Sequence, residues 1–196
     1  MLQIYIQNNN NVWLSLACAE EQIFATSFAE TQQKALDTLL ENLPYNVPFQ
    51  VMLTPTDFAK RTFSLMSNIL EGKDAKLDLN LMVDKMPSYT KRVLKGTMQI
   101  PIGYVASYDS IAKALGGGPR AVGNIMAGNI FAPIVPCHRV VKSDFTLGGY
   151  GGGLKIKYQL LTKEKRGFKD PIEIRLDNDI MQVVPVEFAL KNISFF

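Results

Sequence analysis

The stretch Pro136-Cys137-His138-Arg139-Val140 places one of the chain's two cysteines directly before its only histidine. A thiolate is the strongest nucleophile among ordinary side chains, and a neighbouring imidazole commonly generates one at neutral pH. The flanking residues are apolar and predict a buried segment: Ile134, Val135, Val140 and Val141. Cysteine also fills cores more often than it reacts, so the dipeptide alone leaves a structural role open.

Motifs on both sides make this stretch specific. Upstream, the chain reads Ser107-Tyr108, then Pro119-Arg120-Ala121-Val122-Gly123, then Gly128-Asn129. Downstream, it reads Gly149-Tyr150, Gly152-Gly153-Leu154, Lys157, Leu160-Leu161 and Glu164. From about Pro87 to Glu164 the chain therefore resembles the O6-alkylguanine-DNA alkyltransferases, also called methylated-DNA-protein-cysteine methyltransferases.

This resemblance implies direct-reversal DNA repair without a cofactor. O6-alkylguanine, and by extension O4-alkylthymine, would be flipped out of duplex DNA, and the alkyl group would pass irreversibly to Cys137. Because a thioether is a very poor leaving group, each protein molecule would act once. We expect the protein to be a monomer whose partner is double-stranded DNA.

The catalytic roles also follow from the resemblance. Cys137 is the nucleophile, His138 acts on it through a water as base, and Glu164 orients the imidazole, as in other nucleophile–base–orienter triads. Tyr108 lends its proton to the leaving guanine. Lys157 supports the site electrostatically near the Cys137 carbonyl.

The resemblance further implies residues for DNA and pocket. Arg120 would enter the stack where the flipped base was, and Tyr108 would crowd the 3′ phosphate; a surface phosphate contact and a half-buried core tyrosine are the alternatives. The other DNA-facing residues would be Ala121, Gly123, Asn124 and Ala127. Pocket and support residues would be Asn129, Met126, Val140, Tyr150 and Gly151. The Val140 carbonyl would accept a hydrogen bond from the guanine 2-amino group, and Asn129 would bond near Cys137 and Glu164.

Charge is distributed unevenly. Residues 85–143 carry a net charge of +7 with Asp109 as the single acid, whereas residues 1–84 carry −5 and residues 144–196 carry +1. A basic segment around the Cys-His pair is the electrostatic footprint of a nucleic-acid backbone. A solvated basic face is the alternative, and the near absence of acids argues against it.

The composition excludes several classes. Two cysteines cannot form a disulfide framework, and with one histidine they cannot form a tetrahedral zinc site, although some relatives carry zinc. No apolar run reaches bilayer length, and Met1-Leu2-Gln3-Ile4-Tyr5 lacks the layout of a secretory signal. We expect no membrane partner and a reducing compartment: the cytoplasm with its nucleoid or, in a eukaryote, the nucleus.

Periodicity predicts an α/β (α+β) protein in three parts. Residues 1–84 alternate like half-buried strands and then show helices capped by Thr31 and Asp57. The resemblance implies an RNase H-like structural domain there, followed by a linker at Lys73–Pro87. Residues 165–196 are an apolar extension, predicted as a β-hairpin around Asp177-Asn178-Asp179 that packs on the protein's own surface.

Residues 85–164 are predicted as a mostly helical, winged-helix-like domain. Ser88 caps its first helix, Asp109 caps a short second one, and a glycine turn leads to a helix over Pro119–Ala127, which makes a helix-turn-helix. Small residues dominate this last helix and Arg120 is its only charge, so we expect binding without sequence preference, as the family's minor-groove docking implies.

Three other functions compete with repair. A non-catalytic damage-recognition protein would usually carry Trp in place of Cys137. A cysteine hydrolase would leave the basic domain unexplained, and a transcriptional regulator would need larger base-reading side chains. One departure from the family concerns Gly151, where some relatives have Ser, and it predicts a weaker contact to O6 or a wider tolerance for bulky groups.

Overall fold

The computed structural model describes residues 1–75, 78–176 and 179–191. Two compact units result: Met1–Leu70 with Asp74–Lys85 and Ile130–Ile134, and Glu71–Lys73 with Met86–Asn129 and Val135–Phe196. The first unit thus gives way to the second one residue after the predicted boundary at 84. Residues 165–196, predicted as a separate part, belong to the second unit.

The first unit is built on a mixed five-stranded sheet. Strands β1 (Leu2–Asn9), β2 (Val12–Ala19) and β3 (Gln22–Ala29) form an antiparallel meander. Its two tight turns have positive φ at both central residues, the conformation that two-residue hairpins prefer. Helix α1 (Gln32–Glu41), strand β4 (Phe49–Val51), helix α2 (Asp57–Leu70) and strand β5 (Asn80–Leu81) follow. The strand order is β4-β1-β2-β3-β5, with β4 parallel to β1 and β5 parallel to β3.

The second unit combines helices with a four-stranded sheet. Its elements in chain order are α3 (Ser88–Met98), β6 (Tyr104–Ser107), α4 (Tyr108–Leu115), α5 (Pro119–Ala127), a 3₁₀ turn (Cys137–Arg139), β7 (Val140–Val141), α6 (Leu154–Lys163), β8 (Ile172–Leu176), β9 (Asp179–Pro185) and α7 (Val186–Lys191). The sheet order is β7-β6-β9-β8. The predicted helix over Pro119–Ala127 is confirmed.

Of the four predicted helix N-caps, one is confirmed and three are wrong. Thr31 caps α1 as predicted, its hydroxyl accepting from the Lys34 amide. Three other predicted caps are wrong, since Asp57, Ser88 and Asp109 all lie inside their helices. Thr56 accepts from the Ala59 amide and Ser107 from the Ser110 amide, whereas Pro87, which precedes Ser88, offers no side-chain cap. The two aspartates lie in first turns, where the helix dipole also favours acids.

The C-terminal extension is part of the fold rather than a layer on its surface. Strands β8 and β9 pair antiparallel as predicted, although Asp177 and Asn178 of the predicted turn lie outside the described residues, as do Phe195 and Phe196. Strand β9 also pairs with β6, and the unpredicted helix α7 contributes Val186 and Ala189 to a core with Val105, Val141, Leu147 and Leu161. The extension supplies this burial because β6 has an open edge that β9 completes.

Candidate active site

One turn of 3₁₀ helix, Cys137–Arg139, carries the predicted nucleophile. The Cys137 amide donates to the Val135 carbonyl at 2.8 Å, and the side chain is only 8% exposed. Strand β7 follows at once and pairs in parallel with β6, setting Val141 opposite Ser107. Tyr108, the first residue of α4, follows Ser107 directly and lies close enough to Cys137 for the charge of the thiolate to act on its hydroxyl.

His138 is fully buried and its Nε2 lies 2.9 Å from Glu164 Oε1. Glu164 is the C-terminal cap of α6, so tertiary folding joins the two residues as predicted. Burial lowers the pKa of His138 even though the carboxylate opposes the shift. A neutral imidazole that donates from Nε2 keeps Nδ1 as an acceptor, and Nδ1 is buried without a hydrogen-bond partner among the described residues. That arrangement suits a base.

Arg139 is the site residue that sequence reasoning missed. Its Nε donates to both carboxylate oxygens of Glu164, at 3.1 and 2.9 Å, its Nη2 donates to Oε1 at 2.8 Å, and its Nη1 donates to the Ile100 carbonyl at 2.7 Å. Burial alone would raise the pKa of Glu164, but the hydrogen bond to His138 and the nearby charges, Arg139 included, lower it to about 2. The available signal was a charged residue inside an apolar segment, because a buried charge needs a partner.

Two side chains, those of Asn129 and Lys157, stabilise the thiolate form of Cys137. Burial raises its pKa, while a hydrogen bond from the Asn129 side chain and the charge of Lys157 act in the opposite direction. The Asn129 amide also donates to the Val135 carbonyl at 2.9 Å, which ties it to the backbone leading into the 3₁₀ turn. A thiolate formed here is thus pre-solvated by protein groups.

Lys157 is fully buried in α6. Its ammonium donates to the carbonyls of Val140 and Leu147, both at 2.5 Å, and of Gly149 at 3.4 Å. These bonds reach the strand after the cysteine and the glycine-rich rim, and the charge of Lys157 also acts on Cys137, in keeping with the predicted electrostatic support of the site. The Val140 carbonyl, predicted to bind guanine, is one of its acceptors. Burial lowers the pKa of Lys157 to about 8.

Two tyrosines border the cysteine. Burial, and secondarily the charge of Cys137, raise the pKa of Tyr108 and, more strongly, that of Tyr150. The Tyr108 ring lies against Gly148, whose φ is +67° and where a Cβ would lie 3.0 Å from the ring. Both facts favour glycine there. The predicted pocket residue Gly151, in contrast, is exposed and has open space around it.

Helix α5 presents small side chains to solvent. Arg120, Asn124 and Ala127 are exposed along one face, with Ala121 and Gly123 half-buried beside them. Nothing lies within 4 Å of a Cβ placed on Gly123. Met126, predicted as a pocket wall, is buried on the other side, where Thr97 of α3 donates to its sulfur at 3.8 Å.

The described residues contain no group of three or more side chains that could hold a metal ion. Within the same ranges, no helix is long and apolar enough to cross a membrane.

Comparisons with known proteins bear on residues 88–166 most directly. This segment matches the family model described as 6-O-methylguanine DNA methyltransferase, DNA binding domain. A methylated-DNA–protein-cysteine methyltransferase of Pyrobaculum aerophilum is 57% identical over 65 residues, which are 33% of this chain and 44% of that protein. The chain therefore spans less than half the length of that relative. The Saccharolobus solfataricus enzyme of the same name is 38% identical over 109 residues, or 56% of this chain and 70% of that protein.

Solved structures extend the likeness to both units. The Mycobacterium tuberculosis OGT, crystallised in complex with DNA, superposes with a TM-score of 0.66 at 27% identity, covering 83% of this chain and 92% of that one. The predicted α/β class is confirmed by the structure and by this similarity, and the structure shows an N-terminal mixed sheet followed by a helical C-terminal domain.

Proposed function

The chain belongs to the methylated-DNA–protein-cysteine methyltransferase family, and from that premise we propose that it repairs alkylated duplex DNA by direct reversal. The substrate is O6-alkylguanine, with O4-alkylthymine as a second lesion, and the acceptor is the Cys137 sulfur. The observation that carries this proposal is a buried thiol that is hydrogen-bonded by Asn129, is acted on by the charge of Lys157, and directly precedes the His138–Glu164 pair in the chain.

The reaction is a displacement at the alkyl carbon. The thiol proton passes to Nδ1 of His138 through a water, the bond between sulfur and carbon forms, and the bond between carbon and O6 breaks. Tyr108 lends its hydroxyl proton to the departing guanine and is reprotonated from the imidazolium. Overall, one proton moves from the thiol to guanine, so guanine leaves as a neutral base.

Site electrostatics favour the charged transition state. Lys157 is cationic below about pH 8 and acts on the developing thiolate. Glu164 is ionised throughout the physiological range and stabilises the imidazolium that forms during the reaction. Because these groups are already oriented, little reorganisation accompanies the reaction.

The second unit also has the features needed to bring the alkylated guanine to Cys137. A guanine inside a duplex cannot reach a buried sulfur, so the nucleotide is flipped out at a cost of roughly a few kcal/mol. The exposed small-residue face of α5 allows close approach to the minor groove, and Arg120 at its first turn fills the gap left in the stack. Arginine suits this because its planar head both stacks and donates.

The product is a thioether, which no group in the site can remove. The protein is therefore consumed one molecule per lesion, and we infer a monomer acting in a reducing compartment that keeps Cys137 free. Both cysteines are unpaired and buried in the structure.

Incubation with a short duplex containing O6-methylguanine tests the proposal. We expect the lesion to become guanine in proportion to the protein added, up to one equivalent, and Cys137→Ala to leave it unchanged. If the duplex binds but the lesion persists with both proteins, the repair function is wrong and non-catalytic damage recognition replaces it.

A further inference from the structure

The end of helix α6 carries the carboxylate that joins the buried polar groups of the site. Glu164 is the C-terminal cap of α6, and its Oε1 accepts from Arg139 Nη2 at 2.8 Å and lies 2.9 Å from His138 Nε2. The segment that the family model matches ends at residue 166, so contacts that reach this helix end from later residues belong to the C-terminal extension. The first turn of α7 supplies two hydrogen bonds of this kind.

Glu187, in the first turn of α7, holds the chain that follows Glu164. Its Oε1 accepts from the backbone amides of Arg166 at 3.2 Å and Gly167 at 2.6 Å. A carboxylate binds amide N–H groups more strongly than a neutral oxygen does. The other oxygen, Oε2, is buried and has no hydrogen-bond partner among the described residues. Within those residues, the hydrogen bonds of this side chain therefore serve to fix the backbone directly after α6.

The preceding residue, Val186, holds a second segment of the site. Its amide donates to the Gly103 carbonyl at 2.9 Å. Gly103 lies shortly after Ile100, whose carbonyl accepts from Arg139 Nη1 at 2.7 Å. Two adjacent residues of α7 thus bind the two chain segments that hold the buried Arg139–Glu164 pair, one on the side of the guanidinium and one on the side of the carboxylate.

Aromatic packing joins the same two segments. Phe168 follows the amides that Glu187 binds, and its ring stacks on that of Tyr104 with the centroids 5.0 Å apart. A Cβ placed on Gly103 would lie 2.8 Å from the Phe168 ring, so the ring lies directly on the backbone there. Arg166 adds a bond from its Nη1 to the Lys163 carbonyl at 3.2 Å. The chain after α6 is therefore packed against residues 103 and 104 as well as hydrogen-bonded to α7.

The position of this helix end matters because Glu164 is the last residue that the helix itself holds. Its amide donates to the Leu160 and Leu161 carbonyls, both at 3.2 Å. Helix ends fray, since their last carbonyls lack partners within the helix. A shift of about 1 Å in a group that supports the chemistry can cost about a hundredfold in rate. A contact that prevents such a shift at Glu164 therefore supports catalysis from outside the site.

We propose that Glu187 is a positioning residue for alkyl transfer, which holds the Glu164 carboxylate against His138 by binding the amides that follow α6. The inference rests on the proposed function, since it takes His138 to be the base for Cys137. The hydrogen bonds of Glu187 go to the backbone after α6 rather than to the thiol or the imidazole, so it acts through Glu164. The extension thereby contributes to the rate of the reaction as well as completing the sheet.

Single-turnover transfer from an O6-methylguanine duplex to the full chain separates positioning from folding. Because each molecule acts once, the amplitude counts competent molecules and the rate constant reports the chemistry. Glu187→Ala should keep the full amplitude and the duplex affinity, while the rate constant falls by about tenfold. Glu187→Gln retains an acceptor oxygen for the two amides and should restore the rate constant to within about twofold of wild type.

Two more variants complete the series. Glu187→Asp keeps the carboxylate but is one methylene too short to reach both amides, so its rate constant should also fall; it replaces Glu187→Ala if that variant does not fold. Glu173→Ala is the matched control, because it removes an exposed acid on β8 of the same extension and should leave the rate constant unchanged. A wild-type rate constant in Glu187→Ala or Glu187→Asp overturns the proposal, also where the amplitude falls, since Glu187 then only stabilises the fold.

A second readout needs no activity. His138 is the only histidine of the chain, so its imidazole gives one set of NMR signals. The resonance of the Nε2 proton moves upfield when its hydrogen bond to Glu164 lengthens, and we expect this shift in Glu187→Ala but not in Glu187→Gln or Glu173→Ala. An unmoved resonance in Glu187→Ala overturns the proposal. If the wild type transfers no alkyl group, the proposed function fails, whereas the resonance still reports whether Glu187 positions Glu164.

Discussion

The 3₁₀ turn that carries Cys137 and helix α5, the proposed DNA-binding helix, differ in how their side chains are surrounded. In the turn, Cys137, His138 and Arg139 are all buried. The fully buried carboxylate of Glu164 is hydrogen-bonded to both His138 and Arg139. In α5, Arg120, Asn124 and Ala127 face solvent and the neighbouring side chains are small. One region works by fixing polar groups in place and the other by leaving space.

This difference fits the functions proposed for the two regions, which are alkyl transfer in the turn and contact with DNA in α5. A displacement at carbon requires an oriented nucleophile and charges that do not reorganise, which burial and hydrogen bonding provide. A DNA groove requires close backbone approach, for which missing side chains are an advantage. Substitutions should therefore affect rate in the turn and duplex binding in α5.

The largest effect should come from the nucleophile. Cys137→Ser should reduce the rate of alkyl transfer by more than about a thousandfold, because an alcohol is ionised far less than a thiol at neutral pH. Single-turnover kinetics on an O6-methylguanine duplex provide the measurement. Duplex affinity should stay within about twofold of wild type; a parallel loss of affinity would mean that the turn also binds DNA.

Loss of the buried Arg139–Glu164 pair should have the second largest effect. Arg139→Met leaves the carboxylate uncompensated, so the pKa of His138 should rise and the acidic limb of the rate profile should move to higher pH. Loss of one partner should cost about 3–5 kcal/mol of unfolding free energy. The rate should fall by roughly a hundredfold at pH 7.

A double variant separates stability from chemistry in this pair. Arg139→Met with Glu164→Gln removes both charges, so much of the unfolding free energy should return while the rate stays low. Denaturant unfolding and single-turnover rates measured side by side would show this. Recovery of both quantities together would mean that the pair has only a structural role.

Arg120→Ala changes helix α5, the second of the two regions compared, and should affect repair of duplex DNA. We expect transfer from a duplex to slow by about tenfold or more, since the gap left by the flipped nucleotide is no longer filled. Transfer from free O6-benzylguanine should be unchanged, because that substrate needs no flipping. An equal loss with both substrates would place Arg120 in the catalytic pocket instead.

Lys157 should shape the alkaline side of the pH profile. The rate should rise with pH as Cys137 ionises and then fall above about pH 8, where Lys157 loses the charge that supports the thiolate. The fall should amount to about tenfold or less. Lys157→Arg should remove the descending limb if the variant folds, as checked by its unfolding midpoint; a limb that persists would assign the fall to another group.

The smallest effect should come from Gly151→Ser. The position is exposed, its backbone needs no glycine and an added Cβ meets nothing within 4 Å. We expect methyl transfer to change by less than about threefold, with transfer of bulkier alkyl groups reduced more. Competition between methylated and benzylated substrates measures this preference, and an unchanged ratio would remove Gly151 from the pocket rim.

Local patterns predicted much of this molecule. Alternating apolar residues predicted the meander, and proline at its first position with a glycine turn before it predicted α5. Cap positions failed at Asp57 and Asp109 because Thr56 and Ser107 compete as acceptors one or two residues earlier. A single sequence offers no way to rank such neighbours before the helix is seen.

Tertiary partners were the harder part. The motif predicted that His138 meets Glu164, but nothing local pairs Arg139 with a residue 25 positions away or directs Lys157 to the Val140 carbonyl. The prediction for the extension was incomplete for a similar reason. Its apolar residues predicted burial, but they did not reveal that β9 pairs with the open edge of β6. Each miss concerns a partner that only the folded chain supplies.

The proposed transfer to Cys137 can be tested by identifying, from its mass, the residue that is modified after reaction with an O6-methylguanine duplex. We expect a gain of about 14 Da on Cys137 alone, since its thiolate is the supported nucleophile. Cys18 serves as the internal control, because burial raises its pKa to about 11 and the chemistry assigns it no role. A peptide carrying unmodified Cys137 after the lesion has been converted to guanine would mean that Cys137 is not the alkyl acceptor.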